Sequence, residues 1–153
     1  MWIAKRTDYG ARVLLALAID GRQLSLPELA DRTAVPTSVL EQVMPRLRSD
    51  GLVRSERGRK GGYRLNKAPE DITLEHVVRL FQGPLAPIEC ATRTNPEPCD
   101  MEDGCSMRDI WADVRDATIT ILAATSFQAL ADQASGTWLP PGADPLPVTS
   151  TPN

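Results

Sequence analysis

The chain has 153 residues, 42% of them apolar and 24% charged, with a net charge of −3. That length and apolar content serve one compact domain with extensions, and no window stays apolar for the roughly eighteen residues that a membrane span needs. Lys5, Arg6, Asp8 and Arg12 interrupt the first apolar run and no small-residue cleavage site follows, so no signal peptide is expected and the predicted compartment is the cytoplasm.

Residues 3–19 predict a helix, with Ile3, Val13, Leu14, Leu17 and Ala18 at helical spacing and Asp20-Gly21 as its stop. Ser25-Leu-Pro-Glu28 has the pattern of a capping box and opens a second helix. Thr33-Ala34-Val35 makes a short turn. Pro36 suits the first position of a third helix, which runs to about Ser49 with Val39, Leu40, Val43 and Leu47 inward. Pro45 removes the amide that would bond the Glu41 carbonyl, so a kink or an early loosening is expected there.

Leu52–Glu56 and Tyr63–Asn66 predict two strands around the glycine-rich, basic tip Arg57-Gly-Arg-Lys-Gly-Gly62. Helices two and three with their tight turn form a helix-turn-helix, and the hairpin is its wing. Thr73 caps a fourth helix carrying Leu74, Val77, Val78 and Phe81, which Gly83-Pro84 ends. Its histidine, His76, lies off the apolar face and is expected to be exposed and idle. Residues 84–105 are irregular and hold all three cysteines. A long helix follows over 106–132, with a stripe of Ile110, Val114, Ala117, Ile121 and Leu122, and with Trp111, Ile119 and Phe127 on other sides. Apolar residues on more than one face predict a partner helix from a second subunit; packing on its own winged domain is the alternative. Residues 133–153 are rich in proline and expected to be disordered.

The fold class is therefore mostly α with a small β-hairpin wing: a winged helix-turn-helix domain over 1–83, a cysteine-bearing loop over 84–105 and a long C-terminal dimerisation helix. Charge follows this division. Residues 36–67 carry eight basic and three acidic side chains, a net +5, against +1 for 1–35 and −9 for 68–153. A basic segment in an acidic chain fits phosphate neutralisation with counterion release, or else a solvated surface.

A recognition helix offers its N-terminal side chains to base edges in the major groove. Here these are Thr37, Ser38, Glu41 and Gln42. Thr37 and Ser38 could instead cap the helix. Arg46 and Arg48, late in the helix, suit phosphate contacts. Arg57, Arg59 and Lys60 at the wing tip could reach the backbone or a narrow minor groove, and Tyr63 is expected to anchor the wing to the core.

Cys90, Cys99 and Cys105 lie within sixteen residues, among Glu89, Glu97, Asp100, Glu102 and Asp103. An odd count cannot pair fully in disulfides within one chain. Thiolates favour zinc or iron, but the close ligand pair of a structural zinc site is absent. An enzyme finds no support, with a single histidine, no phosphate-cradling glycine loop, no nucleophile elbow and no Cys-x-x-Cys pair.

Leu-Glu-Gln at 40–42, Gly-Leu-Val at 51–53, Arg-Gly at 57–58 and Gly-Gly-Tyr-Arg-Leu at 61–65 resemble the Rrf family of bacterial winged helix-turn-helix regulators, the group of IscR-, NsrR- and RirA-like proteins. The likeness covers about residues 1–130. It implies a homodimer on a palindromic double-stranded DNA operator, acting as a repressor, with an iron–sulfur cluster that senses nitric oxide, redox or iron status. The resemblance makes Cys90, Cys99 and Cys105 the cluster ligands, with 4Fe-4S favoured and 2Fe-2S the other form. IscR-like members use a histidine shortly after the third cysteine, where this chain has Arg108. Some NsrR-like members use an aspartate near the start of helix one, where this chain has Asp8; pairing of Asp8 with Lys5 or Arg12 is the competing reading. A cluster-free regulator using thiol oxidation or a small ligand is the alternative function.

Overall fold

The computed structural model describes residues 3–56, 58, 61–94, 96–101 and 104–134. Six helices and one hairpin follow in the order α1 (Lys5–Asp20), α2 (Leu26–Thr33), α3 (Thr37–Ser49), β1 (Val53–Glu56), β2 (Gly62–Leu65), α4 (Leu74–Gln82), α5 (Ser106–Ala124) and α6 (Phe127–Gln133), with 3-10 turns at Pro69–Asp71 and Glu89–Ala91. This is the expected winged helix-turn-helix, mostly α, with a helical extension.

Helix α1 is the core's spine. It buries Val13, Leu14 and Leu17, and Gly21 stops it in the left-handed conformation at φ 61°, which an L residue adopts only at a cost. The capping box at α2 forms as expected. Ser25 accepts from the Glu28 amide and Glu28 accepts from the Ser25 amide at 2.8 Å, so two orphan helix-end amides are satisfied. Donation from the Ser25 amide, from the Ser25 hydroxyl at 2.7 Å and from Arg22 at 3.0 Å holds the Glu28 carboxyl down from 4.5 to about 2. The turn into α3 passes through Ala34 at φ 54°, the only left-handed non-glycine among the described residues. Buried Thr33 braces it: its hydroxyl donates to the Leu29 carbonyl at 2.6 Å and accepts from the Val35 amide at 3.3 Å.

Two expectations for α3 change. Pro36 is the N-cap rather than the first helical residue, and no side chain caps the helix, so neither Thr37 nor Ser38 is a cap. The helix runs through Pro45 to Ser49, the end expected for it. Leu40, Val43, Met44 and Leu47 are all buried around it, and that packing outweighs the one lost backbone bond.

The hairpin pairs Val53 with Leu65, Arg54 with Arg64, Ser55 with Tyr63 and Glu56 with Gly62. Its anchor is Leu24, whose amide donates to the Tyr63 carbonyl at 2.9 Å and whose carbonyl accepts from the Tyr63 amide at 2.7 Å. Tyr63 thus ties the wing to the core as expected. A Cβ on Gly62 would lie 2.5 Å from the Leu24 carbonyl oxygen; only glycine lets the two backbones approach this closely.

The single helix expected over 106–132 is two helices. The chain bends at Thr125-Ser126, where the Thr125 carbonyl accepts from the Leu74 amide at 2.9 Å and the Phe127 amide donates to the Ile72 carbonyl at 2.9 Å. Phe127, read as lying off the helix's main stripe, is fully buried in the core of the winged domain, as the alternative of packing on that domain requires. Ser126 caps α6 by accepting from the Ala129 amide. By contrast α5, 19 residues long, buries none of its side chains. No described helix is long and apolar enough to cross a membrane. Of the tail expected to be disordered over 133–153, Gln133 instead closes α6, and residues 135–153 lie outside the described residues.

Candidate nucleic-acid interface and cysteine loop

Burial of Leu40, Val43, Met44 and Leu47 fixes which side of α3 faces outward. Thr37, Ser38, Glu41, Gln42, Arg46 and Arg48 are all exposed. The first four share the N-terminal half of one helix face, as a groove-reading helix requires. Arg48 sits with the C-terminal turn. Arg46 is occupied within the chain, its Nη2 donating to the Leu80 carbonyl of α4 at 2.8 Å. On the wing, Arg54 and Arg64 point outward on paired strands, and Arg64 lies 3.2 Å from Glu56. Arg57, Arg59 and Lys60 lie outside the described residues.

His76 is not idle. It is half-buried, with Nε2 2.7 Å from Oδ2 of Asp50, the C-cap of α3. Sequence reading also passed over Gly10, whose missing side chain lets Phe81 of α4 lie on α1; a Cβ there would meet the ring at 2.5 Å. A lone glycine inside a helical pattern was the signal that could have shown this contact.

The cysteine loop is laid against α5 by three arginines. Arg108 donates to the Cys90 carbonyl at 3.4 Å, and Arg115, almost buried at 13% exposure, donates to the Ala91 carbonyl. Arg93 reaches Asp116 at 2.9 Å. Arg115 first, and then Arg93, holds the Asp116 carboxyl down from 3.8 to about 2. Cys105 is the N-cap of α5, so the first and third cysteines are both secured to this helix, one through backbone carbonyls beside it and one by covalent continuity. Both are half-buried, while Cys99 lies exposed on the excursion between them. Nothing in the local sequence linked residues 90–93 to 108–116.

Three free thiols in one loop suit iron or zinc in donor chemistry. In this single chain the described residues bring no group of three or more His, Cys, Asp or Glu together as a metal site; Glu102 and Asp103 lie outside the described residues. Asp8 pairs with Arg12 at 2.9 Å across one helical turn, the competing reading for that residue.

A sequence profile for the Rrf2 family, described as an iron-dependent transcriptional regulator, matches residues 3–133. The chain belongs to the Rrf2 family. An Rrf2-like putative HTH-type transcriptional regulator of Rhodobacter capsulatus is 38% identical over 120 residues, covering 73% of this chain and 80% of that protein. Among solved structures, CymR, titled the global cysteine regulator of B. subtilis, superposes with a TM-score of 0.76 at 30% identity, covering 88% of this chain and 98% of that one. IscR of T. potens superposes with a TM-score of 0.71 at 24% identity over 93% and 94%, a likeness of fold. This Rrf2 chain is accordingly a DNA-binding transcription regulator, and its relatives are named as regulators rather than as enzymes.

Proposed function

We propose that this Rrf2 protein is a cytoplasmic, homodimeric repressor whose α3 reads an operator and whose cysteine loop holds an iron–sulfur cluster as the sensor. The observation that carries the DNA half is the outward face of α3, where Thr37, Ser38, Glu41 and Gln42 lie exposed together. Glu41 can accept from cytosine N4 and Gln42 can pair with adenine; Arg48 and the wing cations Arg57, Arg59 and Lys60 neutralise phosphates.

Dimerisation rests on α5. Met107, Ile110, Val114 and Ile121 are exposed at 57, 58, 42 and 67%, and Ala117 is exposed between them. Their alternating spacing of three and four is the seam of a coiled coil. Two copies packed along it give the two-fold symmetry that a palindromic site demands.

For the sensor, Cys90, Cys99 and Cys105 are the thiolate ligands, and the family's description as iron-dependent supports iron. Asp8 would complete the set by leaving Arg12, reaching the loop of the second subunit from α1. A bound cluster supplies an oxidisable, removable centre; Arg108 and Arg115 hold the Cys90 end of the loop in place on α5. A 4Fe-4S cluster is favoured, with 2Fe-2S the other form. The second reading is a thiol switch without iron. It is supported by the exposure of Cys99 and by the neighbour titled a cysteine regulator. Strictly anaerobic purification separates the two: a visible absorption band with stoichiometric iron, lost in Cys90→Ala, Cys99→Ala and Cys105→Ala, supports the cluster. A colourless protein whose DNA affinity changes on thiol oxidation supports the switch instead.

A further inference from the structure

We propose that Arg46, Asp50 and His76 are positioning residues: they clamp the back half of the recognition helix onto α4 and set its angle to DNA, with Arg46 serving this clamp and not a phosphate. The inference rests on α3 being the reading helix.

Arg46 and Asp50 stand one turn apart on α3, and His76 and Leu80 one turn apart on α4, so each pair shares a helix face. The pairs meet in antiparallel register: Arg46 Nη2 donates to the Leu80 carbonyl at 2.8 Å, and Asp50 lies 2.7 Å from His76. Each contact also answers a need of a helix end. Leu80 belongs to the last turn of α4, whose carbonyls lack partners within the helix, and a cation there complements the helix dipole. Asp50 is the C-cap of α3, where its carboxylate stands at the negative end of the α3 dipole with the His76 ring as its neighbour.

The clamp fixes more than one helix pair. Gln82, on the last turn of α4, accepts from the Ala4 amide ahead of α1 at 3.0 Å, and Phe81 lies on Gly10 of α1. The first turn of α4 is held by the carbonyl of Thr125, at the end of α5. Helix α4 is therefore secured at both ends, and the clamp carries that fixed orientation to α3. Pro45, next to Arg46, weakens the helix's own backbone ladder in the same turn, where an external brace matters most.

The test compares variants on a duplex of about 30 base pairs, two half-sites a turn apart, selected by the parent protein from a randomised pool. Affinity is read by fluorescence anisotropy across a salt series. A phosphate contact and a positioning residue differ in that series. Removing a phosphate contact lowers the slope of log affinity against log salt by about one; Arg48→Ala should do this. Arg46→Ala should weaken binding about tenfold at every salt with the slope unchanged. Asp50→Ala and His76→Ala should each weaken it, and their double variant no more than the worse single one. A lowered slope for Arg46→Ala, or parent-like affinity in all three variants, overturns the clamp. Hydrogen exchange reads it without DNA: the last turn of α4 should exchange faster in Arg46→Ala and regain protection in Arg46→Lys. If Arg48→Ala and Gln42→Ala also bind as the parent does, the reading of α3 fails as well; if they weaken while Arg46→Ala does not, only the clamp fails.

Discussion

At the scale of single residues, conformation and close approach set the sharpest constraints. Ala34 turns between α2 and α3 at φ 54°, where a Cβ costs about 1–2 kcal/mol. Ala34→Gly should therefore raise the melting temperature, the gain reduced by glycine's freedom in the unfolded chain; an unchanged or lower midpoint would count against strain at this turn. Gly62 poses the opposite case. Gly62→Ala drives a Cβ against the Leu24 carbonyl, so the wing anchor must open, at about 1–3 kcal/mol, measurable by denaturant unfolding. Glu28 gives a pH signature. Its carboxyl sits at about 2 in the fold, against 4.5 when free. Its contribution is complete above about pH 4.5 and is lost as the pH falls toward 2. Glu28→Gln should flatten the stability profile across that window, with a constant loss above about pH 4.5 where the Glu28 contribution is complete. The Ser25 box was readable in the sequence because its spacing is local. Positive φ at Ala34 was not, since alanine carries no sign of it.

At the scale of elements, helical periodicity located α1 to α4 closely, because each buries one regular face, and the glycine-rich tip located the hairpin. It misjudged the end of the chain. Residues 106–132 read as one continuous helix since nothing in Ala124-Thr125-Ser126-Phe127 is a strong breaker. What divides them is tertiary: backbone hydrogen bonds from Leu74 and Phe127 close the bend, and the core needs the Phe127 ring. Phe127→Ala should cost about 3–5 kcal/mol, as large as any single truncation in the core; a loss under 1 kcal/mol would mean the ring is not a core residue. Pro45 was legible as a defect but not its outcome, since four buried neighbours hold the turn together. Pro45→Ala restores the Glu41 bond and should stabilise the fold by about 1–3 kcal/mol, seen as a higher denaturation midpoint. The candidate site was legible in part for the same reason. The outward face of α3 follows from its periodicity, whereas the contacts from α4 and the arginine ties of the cysteine loop join residues 18 to 34 positions apart, beyond any local pattern.

At the scale of the whole molecule, charge and apolar surface divide the labour. Positive charge gathers on α3 and the hairpin, and exposed apolar surface gathers on α5. Placing carboxylates on the exposed stripe of α5, as in Ile110→Glu with Val114→Glu, should convert the proposed dimer to a folded monomer in sedimentation. It should also lower operator affinity by at least a hundredfold, because a half-site then binds alone. A dimer that survives both charges must pair elsewhere. The return of the chain at Phe127 adds a constraint on how this molecule can be made. The reading helix precedes α5 in the chain, but the core that supports it closes only when residues 127–133 arrive. During synthesis the polypeptide cannot complete its winged domain until α5 has already been translated. A chain cut short before the bend is left without Phe127 and so without a finished core. Every copy stable enough to compete for an operator thus already carries α5 and its exposed apolar stripe, and chains cut short before the bend are removed by their own instability.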